Sequence, residues 1–463
     1  MDTSRIKEIL QDPKTRKILL IAGGSLVVIL MILIVVALVS SKNNNTPTNT
    51  SEGTTTNNGT SGQITINYWG LWEPEGVMSG VIKDFENANP GVTVLYSQQR
   101  FSTYESRIYT RLQQAYNSTE PAPDVFRIHN TWLPKFRKYL APLPSTIMTK
   151  DEYASTFYPT AVEDFTGKDG LIYAIPWEID GLAVFYNKKI FEDAGVTEVP
   201  KDWDSFFELA TKLTTKDSSG KIIQSGVALG TSTNIKHASE ILSFLFLQEG
   251  MQIIDSTKTT VTLNTAKGQK VLNQYTNFAM GDTATWSSTL RSDLEMFFAG
   301  KLAMMIAPSW RAFDIIDAAP QIEFGIAPLP QLKANDYEIY YSTYWGDAVN
   351  STSPNKEMAW KFVKYLSEKE TEQKLYSASS TVRAFGEPYS RVDLRDQMIG
   401  KPYVSAIAEM APYMKSWQMG DESYVKSVLN DAITSVVENG KEVSTALKNA
   451  ESAINSRLAQ TNK

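Results

Sequence analysis

The chain has 463 residues, enough for a membrane anchor followed by two domains of ordinary size. It carries 45 Lys+Arg against 51 Asp+Glu with no basic run, which makes nucleic acid a poor partner and gives anionic substrates no help from the global field. No Cys is present and His129 and His237 are the only histidines, which removes disulfides, thiolate metal sites and cysteine nucleophiles and leaves too few ligands for a His-rich zinc site.

Residues 1–17 carry Arg5, Lys7, Lys14, Arg16 and Lys17. Ile18 to Val39 then runs 22 residues without a charge, and at ~1.5 Å per residue such a helix spans a bilayer. Only Lys42 follows closely, so the positive-inside rule puts the N-terminus in the cytoplasm and the rest of the chain outside. A cleaved signal peptide is the alternative, but the apolar stretch is long for one and no A-x-A site is clear. Ser40 to Gly62 is Asn, Thr, Ser and Gly with almost nothing apolar, and reads as a flexible tether.

The folded part opens as β-α-β. Ile64, Ile66 and Tyr68 alternate like a half-buried strand. Val77, Met78, Val81, Ile82, Phe85 and Ala88 keep helical spacing up to Asn89-Pro90-Gly91, and Val92, Val94 and Tyr96 alternate again. A helix through Tyr104, Ile108, Leu112 and Ala115 and a strand over Asp124–Ile128 follow, so a mostly parallel sheet covered on both faces is expected. Ligands of such sheets sit at the carboxyl ends of strands. Trp69, Trp72, Glu73 and Glu75 follow the first strand, and His129, Asn130, Thr131 and Trp132 the third. Tyr173 to Leu213 is the most informative stretch. Trp177, Glu178 and Asp180 precede an apolar strand at Leu182–Tyr186; Asn187 can cap a helix that ends at Gly195, and Asp202 a second one bearing Trp203, Phe206, Phe207, Ala210 and Leu213. Further on, a helix ends at Gly300, Leu302–Ile306 forms a strand, and Trp310-Arg311 open a helix at its carboxyl end.

Four ordered patterns carry a resemblance. Tyr173, Pro176, Asp180, Tyr186-Asn187-Lys188, Pro200 and Asp202-Trp203-Asp204 make the first, and Phe297, Gly300-Lys301 and Ala303-Met304 followed by Trp310 the second. Ala327-Pro328-Leu329-Pro330 with a strand through Tyr344-Trp345-Gly346 is the third, and Gly440–Ser444 with Ala446-Leu447 the last. The chain from about Gln63 to Leu458 resembles the bacterial extracellular solute-binding proteins of family 1, the sugar-binding type. That resemblance implies an α/β, two-lobed periplasmic-binding-protein-like fold, with a hinge and an interlobe ligand cleft, preceded here by one transmembrane helix. Lobe one would comprise about 63–177 plus 346–392 and lobe two 178–345 plus 393–463, with crossings near Glu178–Gly181 and Tyr344–Asp347. Many family members are lipoproteins tethered through a Cys; this chain has none, so its anchoring departs from that pattern.

Sugars stack C–H faces on aromatic rings and bond carboxylates, amides and Arg through their hydroxyls. The family places a stacking Trp where Trp310 stands, beside Arg311, and a sugar-bonding acid where Asp180 stands; Glu178 is as suitable chemically. Trp69, Trp72, Trp177 and Trp345 are ligand candidates or core residues alike, as are Glu73, Asn130 and Asp347 on the strand ends and crossings. Arg383 resembles a family loop near the cleft, and Trp417 a cleft-facing region, though Arg383 reads equally well as solvated. Trp203, Trp286 and Trp360 read as core residues on helical apolar faces.

The sequence therefore reads as a membrane-anchored extracytoplasmic receptor without cofactor. It would deliver a small solute, a mono- or oligosaccharide first, to the permease of an ABC importer. The alternative is a carbohydrate-active hydrolase drawing a carboxylate pair from Glu73, Glu75, Glu178 and Asp180. No nucleophile elbow, P-loop, zincin motif or dinucleotide fingerprint accompanies it.

Overall fold

A computed structural model describes residues 63–114, 121–332 and 337–461. The expected anchor (18–39) and tether (40–62) lie outside the described residues, and no helix among those described is long and apolar enough to cross a membrane.

Alternating apolar residues build a first sheet from β1 (Ile64–Gly70), β2 (Val92–Gln98), β3 (Val125–His129) and, from far along the chain, β10 (Trp345–Val349), in the order β10-β3-β1-β2. β1 lies parallel to β2 and β3, and β10 runs antiparallel to β3. The helix Glu75–Ala88 buries Val77, Met78, Val81, Ile82 and Phe85 as its spacing predicts, while Ala88 at its last position is exposed. The second sheet has the order β5-β6-β7-β4-β8, from β4 (Leu182–Asn187), β5 (Thr215–Lys216), β6 (Ile222–Val227), β7 (Leu302–Pro308) and β8 (Phe324–Ala327). Here a mostly parallel expectation does not extend: only β6 and β7 are parallel, and β4 is antiparallel to both neighbours. The chain reaches β4 from the helix Pro159–Phe165 through the stretch 175–181, which pairs with 342–347, and that stretch sets the direction in which β4 enters its sheet. A small parallel pair joins β9 (Tyr340–Tyr341) to β11 (Met414–Lys415).

Local signals behave as the chemistry requires. Asn187 accepts from the Ile190 N–H and Asp202 from the Ser205 N–H, capping their helices, and Gly195 takes the left-handed conformation at φ 66°. A full capping box, Ser292 with Glu295, opens the helix Asp293–Phe298. Trp360 is a fully buried helical residue. Trp286 is fully buried too, but from a loop, where its indole N–H meets Asn234 Oδ1 at 2.9 Å. Trp203 is only half-buried, its indole N–H turned inward to the buried Gln248 at 2.7 Å.

Two stretches linking the sheets run side by side. Ile175 and Asp347 exchange both backbone hydrogen bonds, the Thr343 N–H donates to the Asp180 carbonyl at 2.9 Å, and Gly181 bridges Ser342. A Cβ on Gly181 would sit 2.2 Å from the Tyr341 carbonyl oxygen, so only glycine allows this approach. Gly181→Ala is expected to destabilise the fold by about 1–3 kcal/mol, as overpacking does, read as a lower midpoint in urea unfolding.

Candidate functional site

Residues from beyond β1, from the stretch before β4 and from β10 converge on a buried guanidinium. Arg127 sits within the apolar run of β3, fully buried. Its Nη2 lies 2.6 Å from Glu178 Oε1 on the crossing, and its Nη1 3.4 Å from Glu73 Oε2 beyond β1. Burial works against its charge, but Glu178 and Glu73 outweigh that and hold it protonated. The guanidinium also lies 4.6 Å from the Trp177 ring centre, and the Trp177 N–H donates to Asp347 Oδ2 at 2.9 Å. Arg383 closes the cluster, 2.6 Å from Glu387 and 3.8 Å from Glu73. Sequence reasoning missed Arg127. The available signal was a lone charge inside Val125-Phe126-Arg127-Ile128, which only a buried partner could stabilise.

Asp180 joins this floor to the end of β7. Its Oδ1 accepts from the Gly181 N–H at 2.7 Å and the Ser309 N–H at 3.3 Å, whereas Oδ2 is buried without a partner, as is the Ser309 hydroxyl. Directly after Ser309 comes Trp310, 39 % exposed, with the Arg311 guanidinium 4.1 Å from its ring centre. A second aromatic platform follows β1: Trp72 meets the Trp345 ring edge-on at 5.2 Å and tilts against Phe101 at 5.7 Å, and both Trp72 and Phe101 are exposed. Trp345 is buried behind them, against Trp132 and His129.

Other candidates lie apart from these groups. Trp69 packs half-buried against Arg107. Asn130 is fully buried and donates to Asp164 and Ser416, a structural role. Trp417 lines a depression of about 630 Å³ with Met251, Ile253 and Tyr413, its indole N–H buried without a partner. A depression of about 660 Å³ is lined by Tyr186, Lys201, Tyr337 and Glu409. Neither holds Trp310, Trp72 or Asp180.

Burial pushes the Asp180 carboxyl up to about 7, and that of Asp347 up to about 6. A carboxyl raised on folding binds its proton more tightly in the native state, so its contribution to stability is full below the unfolded value and is lost as pH rises towards the folded one. Asp180→Asn should therefore flatten the fall in stability between about pH 4 and 7, measured by urea unfolding at several pH values; an unchanged slope would show Asp180 ionised in the native state.

Residues 72–373 match the family model of the bacterial extracellular solute-binding proteins. The chain is 26% identical over 406 residues to the diacetylchitobiose binding protein DasA of Streptomyces coelicolor, covering 84% of this chain and 88% of that protein. It is 26% identical over 319 residues to a maltotriose-binding protein of Pyrococcus abyssi, covering 66% of this chain and 62% of that one. Its fold is similar to that of the sugar-binding protein MalE from Xanthomonas citri, with a TM-score of 0.69, 19% identity, and coverage of 86% of this chain and 98% of the other. The two sheets are thus the cores of a two-domain, periplasmic-binding-protein-like α/β fold, and the chain belongs to the bacterial extracellular solute-binding protein family.

Proposed function

We propose that this protein is a membrane-anchored extracytoplasmic receptor that captures a small saccharide between two lobes and hands it to the permease of an ABC importer. The observation that carries the reading is Trp310: an exposed indole at a strand's carboxyl end, one face covered by Arg311, next to the buried carboxyl of Asp180 and hydroxyl of Ser309. A flat apolar ring face beside hydrogen-bonding groups suits a pyranose. Trp72 and Phe101 offer a second such surface, and Glu73, Glu178, Arg127 and Arg383 a polar floor. The relatives named for diacetylchitobiose and maltotriose support saccharide over other solutes.

The lobe division follows the sequence reading, with one amendment. The segment from Val392 to Lys415 packs on the helices Lys150–Thr156 and Pro159–Phe165, and the Gly420 N–H donates to the Thr131 carbonyl. We take this stretch to travel with lobe one, although Met414-Lys415 pair with Tyr340-Tyr341 and Tyr403 packs on Phe324 of β8; the third crossing would then fall near Gly420–Asp421. Solute would enter with the lobes apart and be enclosed by hinge closure. Ile18–Val39 would anchor the receptor with its N-terminus in the cytoplasm, and residues 40–62 would hold it off the surface. The hydrolytic alternative finds no support: Glu73 and Glu178 are committed to Arg127, and the matched relatives are binding proteins.

A thermal-shift screen of residues 63–463 against mono- and oligosaccharides, polyols and peptides tests the reading. A saccharide at ~100 times its dissociation constant should add ~2.7 kcal/mol to native stability and raise the melting midpoint. Trp310→Ala should then weaken that saccharide at least ~tenfold with the unliganded midpoint preserved. A hit among peptides alone, or a sugar consumed during the assay, would overturn the proposal.

A further inference from the structure

A chain of charged and hydrogen-bonded side chains runs from the Trp310 platform to the opposite sheet. The Arg311 guanidinium lies 4.1 Å from the Trp310 ring centre, its Nη1 bonds Asp314 Oδ2 at 2.7 Å, and its Nε–H donates to His237 Nε2 at 3.3 Å. His237 meets Trp310 edge-on, ring centres 5.9 Å apart. The other imidazole nitrogen, Nδ1, lies 2.8 Å from Glu240 Oε2, and Glu240 Oε1 accepts from Lys426 Nζ at 3.0 Å. Lys426 also bonds Glu422 Oε1 at 2.7 Å, and Glu422 Oε2 accepts from the Trp132 indole N–H, 3.2 Å from His129 Nδ1. His237 and Glu240 are both more than nine-tenths buried.

Each link fixes the next. Burial alone would raise the Glu240 carboxyl, but Lys426 and His237 hold it far below the usual carboxylate range, so it stays ionised. Arg311 Nε–H can only donate, so His237 Nε2 is its acceptor and the hydrogen on Nδ1 faces Glu240 Oε2. Arginine is long and rich in rotamers, and its remaining carboxylate partner, Asp314, is itself only half-buried and on the same helix. Without His237 the guanidinium is free to leave the indole face.

We infer that His237, with Glu240 behind it, is a positioning residue for solute recognition: it holds Arg311 flat against one face of Trp310 and so fixes the other face towards the ligand. This rests on the reading of Trp310 as a ligand platform. His237 itself touches no solute; it acts through Arg311. The continuation through Lys426 and Glu422 to Trp132 and His129 ties the platform to the strand end of the first sheet, so the ring's orientation is referenced to the opposite domain and not to its own helix alone.

The test is a double-mutant cycle in the full-length chain, with maltotriose and N,N′-diacetylchitobiose as calorimetric probes. His237→Ala should weaken whichever probe binds by about five- to tenfold and also lower the unliganded melting midpoint, because Glu240 loses a buried partner. His237→Gln, which keeps an acceptor towards Arg311, should lose less. In the Trp310→Ala background, adding His237→Ala should change affinity by less than about twofold, because a positioning group has nothing left to position. Unchanged affinity in His237→Ala, or losses that multiply in the double variant, would overturn the inference while leaving the receptor reading intact. Full affinity in Trp310→Ala, or no binding of either saccharide, would remove the platform reading and the inference together.

Discussion

Arg127 imposes the constraint that organises the centre of this molecule. A guanidinium withdrawn from water is tolerated only where carboxylates meet it at close range. The chain supplies those partners from separate places: Glu73 beyond the first strand, Glu178 on the stretch leading to the second sheet, and Asp347 through Trp177. None is local in sequence to Arg127. The first sheet, the crossing and the late strand β10 are therefore held to one another by a charge that has nowhere else to go. Removing one partner would strand the rest in a low-dielectric interior, so the geometry is kept by penalty as much as by attraction.

The two aromatic surfaces reach solvent by different means. Trp72 is exposed because it stands on a loop, propped by Phe101 and by Trp345 behind it. Trp310 opens a helix, and its exposed face exists because a cation occupies the other one. A guanidinium attends both, Arg127 5.7 Å from the Trp72 ring centre and Arg311 4.1 Å from that of Trp310, but Trp72 is braced chiefly by its two aromatic neighbours. Substitutions around the first should act through volume, those around the second through charge and hydrogen-bond direction.

Much of this was legible in the sequence, for identifiable reasons. Strands such as Leu182–Asn187 and Leu302–Pro308 announce themselves because apolar β-formers in a short run have few alternatives. Asn187, Asp202 and Gly195 mark helix ends because capping is a local reaction between a side chain and the next few backbone groups. Trp310, Asp180 and Glu178 could be picked out because each follows or precedes a strand end. What stayed hidden depends on distance along the chain. The antiparallel setting of β4, the partners of Arg127 and the burial of Asn130 against Asp164 and Ser416 each join residues that no periodicity relates. Trp286 is hidden for another reason, since a loop residue becomes core only when the fold brings Asn234 to its indole N–H.

The paired stretches between the sheets limit how the molecule can deform. Because residues 175–181 and 342–347 are stitched together by backbone hydrogen bonds and pressed close at Gly181, they behave as a two-stranded ribbon and not as two independent strings. A ribbon flexes readily normal to its face, resists bending in its own plane, and shears only by breaking its ladder. Moving one sheet relative to the other would have to bend this ribbon or break its bridges. The resistance to such a movement would then lie in peptide hydrogen bonds and in the close backbone approach at Gly181, not in the side chains that face solute.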